Sequence, residues 1–218
     1  MKTKILISIG CLLLMAGLVR ADALLSFDDH GQGGGTASSG SYTAGSSFTF
    51  DINLAVTTTG TDPVPNVNGF SLWFETSAAN NSFFTITNRT LGTTFPDPQG
   101  SPSFPEAIVK GGNTTDLGAT LAANQTVPSN TSYFLETVTI QIAANTPAGT
   151  YTIFTTTNSS NTDHSKTTVV GDGNFARHEP ASAAYTITVV PEPATLSLLG
   201  LSGLGSLGLT MLRRHRRH

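Results

Sequence analysis

Ser47-Phe48-Thr49-Phe50-Asp51-Ile52-Asn53-Leu54-Ala55-Val56-Thr57 alternates apolar and polar residues without a break. Phe48, Phe50, Ile52, Leu54 and Val56 fall on one side, and Thr49, Asp51, Asn53 and Ala55 on the other. Successive side chains leave a pleated backbone on opposite faces, so a period of two marks a strand with one buried face. A helix would scatter the five apolar residues around its circumference.

The same period recurs on both sides of this stretch. From Asn68 to Thr76, Phe70, Leu72 and Phe74 oppose Ser71, Trp73 and Glu75; Val138, Ile140 and Ile142 alternate with Thr137, Thr139 and Gln141. Tyr151 with Ile153, and Tyr185, Ile187 and Val189 against Thr186 and Thr188, repeat it. Shorter runs lie at Leu24–Phe27, Phe83–Thr87, Ala107–Val109 and Thr167–Val170. Turn signals separate them, among them Thr61-Asp62-Pro63, Pro96-Asp97-Pro98, Gly111-Gly112-Asn113, Pro147-Ala148-Gly149 and Gly171-Asp172-Gly173. No segment between the termini shows a 3.6-residue period. The pattern predicts an all-β domain built as an antiparallel β-sandwich.

The two ends read differently. Lys2 and Lys4 precede an apolar run, Ile5 to Val19, and Ala21-Asp22-Ala23 forms a small-x-small site. This is the anatomy of a secretory signal peptide, residues 1–23, cut by signal peptidase after Ala23. Cys11, the single cysteine, lies inside that leader. Only Ile5 to Gly10 precede it as an apolar stretch, with Ser8 where Leu is preferred, which argues against a lipoprotein. At the other end Pro191-Glu192-Pro193 leads into the uncharged run Ala194 to Leu212, then Arg213, Arg214, His215, Arg216, Arg217 and His218. Nineteen residues at about 1.5 Å each span roughly 28 Å, close to the thickness of a bilayer's hydrocarbon core. A single C-terminal transmembrane helix at 194–212 is therefore predicted, its arginine end on the cytoplasmic side of the inner membrane.

Between Leu24 and Val190 four bases, Arg89, Lys110, Lys166 and Arg177, face twelve acids, a net charge of −8. A domain so acidic cannot neutralise a run of phosphates, so nucleic acid is excluded as a partner. Charged residues make up 11% of the chain, against about 25% in an ordinary globular protein. Thr, Ser, Asn and Gly supply the polar surface instead, which suits an extracellular protein and hydrogen bonding to neutral sugars. With no cysteine in the mature domain, stability rests on the apolar core alone.

Val190-Pro191-Glu192-Pro193, the short apolar run and the arginine terminus together resemble the PEP-CTERM sorting signal of bacterial envelope proteins. The resemblance covers residues 190–218 and implies recognition by a membrane-embedded exosortase-type protease that cuts near Pro191-Glu192-Pro193. It also implies an exported protein held at the inner membrane before processing, then placed at the cell surface or in the extracellular matrix. An ordinary tail anchor would need only the apolar run and the positive end. In the core, SSFTFDINLAV (46–56), NVNGFSLWFET (66–76), FFTIT (83–87) and YFLETVTIQIAANTPAGTYTIF (133–154) resemble a cohesin-like sandwich. That likeness implies an architecture for residues 24–189, cohesin-like or jelly-roll-like, and carries no binding residues. Cohesins bind dockerin modules, and relatives of the fold bind carbohydrate or act as spacers. The Pro-rich insertion at Phe95–Pro105 departs from that pattern.

Catalytic constellations are hard to find. There is no Gly-x-Ser-x-Gly elbow, no mature cysteine and no His-Glu-x-x-His pairing. His30, His164 and His178 read as solvated loop residues. Paired carboxylates for glycoside hydrolysis need only meet in space, so the sequence is silent on them. Structural calcium could use Asp28-Asp29 with Asp163, or Asp172 with Asn174, but neither has the spacing of a calcium loop, and Asp and Asn commonly bond their own backbone in turns. No cofactor and no metal site are expected.

Trp73, the single tryptophan, is the candidate binding residue. The alternation that buries Phe70, Leu72 and Phe74 turns it outward beside Glu75, where an indole can stack on a sugar ring or anchor a protein interface. Alternatively the 95–104 loop covers it as a second small core. The expectation is a non-catalytic, exported envelope or matrix protein associated with surface exopolysaccharide. A cohesin-like protein- or carbohydrate-binding module is the alternative; a secreted hydrolase and an ice-binding protein have less support.

Overall fold

The computed structural model describes residues 23–192 apart from 36, 59–62, 65, 81, 122–126, 129, 158–163 and 175. The leader with Ala21, Pro193, the run 194–212 and Arg213, Arg214, Arg216 and Arg217 lie outside the described residues. Among the described residues no helix is long and apolar enough to cross a membrane.

The strands in chain order are β1 (Ala23–Asp28), β2 (Ser39–Thr43), β3 (Ser47–Val56), β4 (Asn66–Ser71), β5 (Phe74–Thr76), β6 (Phe84–Leu91), β7 (Asp97–Pro98) and β8 (Glu106–Ala107). They continue as β9 (Ala119–Thr120), β10 (Val127–Pro128), β11 (Ser132–Ile142), β12 (Gly149–Thr155), β13 (Val169–Asp172), β14 (Arg177–His178) and β15 (Ala184–Val190), with one 3-10 turn at His164–Lys166. The all-β expectation holds. One layer is the five-stranded sheet β1-β3-β11-β6-β8. The other is assembled from two sheets, β2-β15-β12-β5 and β14-β13-β4-β9-β7 with β10 also on β4.

The alternating stretch from Ser47 forms β3, and its apolar set, Phe48 to Val56, is at most 5% exposed. From it the core spreads through stacked and tilted rings. Phe50 meets Phe27 of β1 at 4.7 Å, Tyr185 of β15 at 5.5 Å and Phe74 of β5 at 6.3 Å between centroids. These rings close the two layers face to face, removing aromatic surface from water across four strands at once.

One pairing breaks the antiparallel expectation. β2 runs parallel to β15, in register from Ser39 against Thr186 to Thr43 against Val190. Ser39-Gly40-Ser41-Tyr42-Thr43 has no apolar alternation, so its strand is invisible to the period. Buried polar chemistry secures it: the Tyr42 and Tyr185 hydroxyls lie 2.7 Å apart, and each donates to Asp29 Oδ2, at 3.0 and 2.5 Å. The other strand pairs are antiparallel.

The Pro-rich insertion has a packing role. Phe95 is fully buried, edge-on to Phe70 at 5.5 Å and to Tyr133 at 6.0 Å, and Asp97–Pro98 pairs with Ala119–Thr120. It fills the gap between β4 and β11.

Candidate functional site

The chain changes sheets at Leu72-Trp73. β4 ends on Ser71, paired with Val169 of β13, and β5 begins on Phe74, paired with Thr155 of β12. Across this switch, side chains replace strand neighbours. Leu72 N donates to Asp116 Oδ1 at 2.9 Å, Trp73 N to Thr168 Oγ1 at 3.1 Å and Phe74 N to Asn113 Oδ1 at 2.8 Å. Trp73 O in turn accepts from Thr156 N at 2.9 Å. Leu72 and Phe74 are fully buried, so the intervening indole points outward.

Trp73 is half-buried at the wall of a pocket of about 320 Å³, which also presents Ser71, Asp116, Ser165, Arg177 and Glu179. Its Nε1 donates to Ser71 Oγ at 3.0 Å, and Ser71 Oγ donates to Asp116 Oδ2 at 2.6 Å. Lys166 Nζ stands 5.9 Å from the ring centroid, a cation–π distance, and also donates to Gly112 O at 3.3 Å. The indole is thus fixed in one rotamer, and Arg177 and Glu179 are exposed at the rim. The pocket can offer an aromatic face together with both hydrogen-bond donors and acceptors. Its volume is within the usual range for small-molecule sites.

Two carboxylates, Asp116 and Glu179, line this pocket, and glycoside hydrolysis uses a pair of such groups. Asp116, however, is committed to the switch: Oδ1 accepts from Leu72 N and from Gly118 N at 2.8 Å, and Oδ2 from Ser71.

Glu75 is not beside Trp73 on an open face. It is 3% exposed, and its Oε2 accepts from Gly111 N at 3.1 Å. Gly111 and Gly112 take φ of 88° and 95°, which lets the backbone after β8 fold over β5 and cover the carboxylate. A loop does provide cover, but two residues beyond Trp73 and from the backbone that follows β8, at Gly111, rather than from 95–104. Asp116, Ser165, Arg177 and Glu179 escaped the sequence reading because nothing periodic links them to Trp73; the Ser71–Asp116 contact spans 45 positions.

His178 corrects a further expectation. It is buried in β14 with Nε2 3.4 Å from Asp172 Oδ2, whereas His30 is exposed as expected, its Nε2 2.9 Å from Asp51 Oδ2. That bond, with the nearby charge of Asp28, raises the His30 pKa. The side chain of His164 lies outside the described residues.

The carboxylates considered for calcium serve turns. Asp172 Oδ1 accepts from Asn174 N and Ala176 N, both at 2.8 Å, and Asp28 Oδ1 from His30 N at 2.8 Å. Asp29 accepts from Gly31 N at 2.9 Å and Gly33 N at 3.3 Å besides the two tyrosines. Among the described residues no three His, Cys, Asp or Glu groups converge as a metal site would need. Asp163 lies outside them.

At the ends, Ala23 is 2% exposed in β1 and pairs with Val56. Val190, grouped with the tail by sequence, is the last residue of β15; Pro191 and Glu192 follow at once, both exposed.

Residues 189–217 match the PEP-CTERM protein-sorting motif. No curated protein matches the chain. Among solved structures, a chain of the complex between CaDoc0917 and CaCohA2, the latter from Clostridium acetobutylicum, is similar at 16% identity with a TM-score of 0.50, over 77% of this chain and 99% of that one. A cohesin module of a Clostridium perfringens family 33 glycoside hydrolase aligns at 14% identity and TM-score 0.48 (78% and 97% covered), and a non-cellulosomal cohesin from Archaeoglobus fulgidus at 9% and 0.46 (81% and 97%). The tail carries a PEP-CTERM sorting motif, and the structural neighbours of the sandwich are cohesin modules.

Proposed function

We propose that this is an exported, non-catalytic surface protein, sorted through its tail, whose sandwich binds a neutral glycan such as the cell's exopolysaccharide at the Trp73 pocket. Signal peptidase removes residues 1–23, and the 194–212 helix holds the chain in the inner membrane with Arg213, Arg214, Arg216 and Arg217 inside. An exosortase-type protease then acts near Pro191-Glu192-Pro193 and releases the domain to the surface or matrix. The observation that carries the glycan reading is the half-exposed indole, locked by Ser71, above a pocket walled by Asp116, Arg177 and Glu179. Aromatic faces stack on the C–H faces of sugar rings, and carboxylates and guanidinium groups hydrogen-bond their hydroxyls.

Co-sedimentation of the protein with exopolysaccharide from the producing organism tests this. Saturable binding is expected, weakened at least about tenfold in Trp73→Ala, the effect of losing roughly 1.4 kcal/mol or more of stacking and pocket contacts. Equal binding by both proteins discards the site and keeps the partner. Absence of binding by either moves the search to protein partners, the reading that the cohesin-like fold favours. The same samples, assayed for released reducing sugar, are expected to show none. Release that Glu179→Gln abolishes overturns the non-catalytic reading.

The tail half has its own check. A tag placed after His218 is expected to part from a tag placed within the domain; both tags on one membrane-bound chain would leave a plain anchor.

A further inference from the structure

We propose that one end of the sandwich, the pole formed by residues 43–46, 77–80, 82–83 and 143–148, lies against the phospholipid headgroups while the tail holds the chain in the membrane. The proposal rests on the reading of 194–212 as a membrane span.

Strand directions bring these three turns together where the tail leaves the domain. Val190, the last residue of β15, pairs with Thr43, and Val189 lies opposite Gly149 at the start of β12. Hydrogen bonds knit the turns into one surface. Ile142 N donates to Ser46 O at 2.9 Å, Gln141 Nε2 to Gly45 O at 2.8 Å and Ala143 N to Phe83 O at 2.9 Å. The Tyr151 hydroxyl donates to Pro147 O at 2.9 Å, and its ring lies 6.0 Å from that of Phe83.

The tether is short. Only Pro191, Glu192 and Pro193 separate Val190 from Ala194, so the end of β15 is within about 14 Å of the start of the apolar run. Two prolines stiffen that link. A folded domain on such a tether cannot tumble freely; the end that carries Val190 must face the bilayer.

Charge fits this placement. The mature domain carries −8, yet none of residues 43–46, 77–80, 82–83 and 143–148 is charged. Their exposed members include Gly45, Ser77, Ala79, Asn80, Ala144 and Pro147, small or neutral groups that approach headgroups without the repulsion an acid would meet at an anionic leaflet. Asp51, with Asp28 paired opposite it, stands four residues up β3 from Ser47, about 13 Å away and beyond a Debye length at physiological salt. Lys110, two residues past Ile108, whose N donates to Phe84 O at 3.0 Å, is a base and is attracted to anionic lipid. Glu192, in the tether, lies nearer the membrane than Asp51, and so does Glu106, opposite Ile86 of β6 and two residues from Phe84, but Glu106 is buried. The Trp73 pocket lies toward the other end: Thr156, bonded to Trp73 O, is seven residues along β12 from Gly149, about 23 Å farther from the bilayer, where it is open to a ligand.

The test uses the chain after removal of the leader, residues 24–218, which has no cysteine of its own, so that an introduced cysteine is the only thiol. Ala144→Cys at the pole and Ser132→Cys at the far end of β11 are each labelled with bimane. The chains are reconstituted into phosphatidylcholine–phosphatidylglycerol vesicles carrying a headgroup nitroxide lipid. The two sites differ by ten residues of β11, about 34 Å, so the label at 144 is expected to be quenched at least about threefold more than that at 132. Inserting about ten Gly-Ser residues after Val190, a coil of roughly 16–19 Å, should erase the difference. Flotation with the vesicles but equal quenching at both sites overturns the pole placement and leaves the membrane span intact. Chains that fail to float overturn the span, and the placement with it.

Discussion

Phe50→Ala is expected to lower the thermal midpoint of the domain by about 10 °C, corresponding to a loss of roughly 3–5 kcal/mol. Phe50 is fully buried. Its ring touches Phe27, Phe48, Phe74 and Tyr185 at 4.7, 6.0, 6.3 and 5.5 Å, so it joins β1, β3, β5 and β15. The backbone around it is held by ladders on both sides of β3 and cannot collapse into the space. The cost is therefore lost transfer energy together with a cavity. Phe134→Ala is the control: that side chain is 38% exposed, and its removal should change stability by less than about 1 kcal/mol. Urea titration with an unchanged m-value reads both. A loss below about 1 kcal/mol for Phe50→Ala would contradict a core centred on this residue.

The second large effect is on pH. Glu136 in β11 is fully buried. Burial is the largest influence on its carboxyl; Arg89, with Nη1 at 3.6 Å, opposes it, and the negative charge of Asp116 adds to it. The outcome is a pKa pushed from the ordinary 4.5 up to about 8. Arg89 spends its hydrogen bonds elsewhere, donating to Leu117 O and, at 3.3 Å, to Gly118 O. Between pH 4.5 and 8 the folded chain keeps a proton that the unfolded chain has released. Stability from this group is therefore complete below about pH 4.5 and is lost as pH rises through about 8, by several kcal/mol and at most about 5.

The acid side behaves oppositely. Burial raises the pKa of Asp29, but bonds from Tyr185, Gly31, Tyr42 and Gly33 outweigh it and hold the group below its ordinary value. Asp172 is likewise lowered, the bonds from Ala176, Asn174 and His178 overcoming burial. Their stabilisation is present above about pH 4 and lost on further acidification. The domain should thus be most stable near pH 5 and weaken toward pH 8. Glu136→Gln, which keeps the shape without the charge, should flatten that slope and exceed the natural chain in urea midpoint at pH 8. An unchanged slope in the variant would mean that Glu136 is ionised in the folded state as a true partner of Arg89.

The parts of the fold that were legible share one property: their signal is local. β1, β3, β15 and the second half of β11 each carry an apolar set on every second residue, and those sets supply a large part of the core. What escaped depends on partners far along the chain. β2 is a strand because Tyr42 reaches Tyr185 and Asp29, not because of its own pattern. The alternation through residues 68–76 pointed Trp73 outward correctly, yet it also implied an open face for Glu75. The switch between sheets at Leu72-Trp73 and the backbone at 111–112 separate the two environments.

By itself the chain's order of residues determined the β class, the core faces of the long strands and the sorting motif at 189–217, because each is written in contiguous residues. Tertiary structure alone decided the parallel β2–β15 pair, the buried Glu75, Glu136 and His178, and the pocket that sets Asp116, Arg177 and Glu179 around Trp73. The reason is physical: burial and pocket geometry are set by which segments meet after loops of tens of residues close, and no short-range period encodes that meeting.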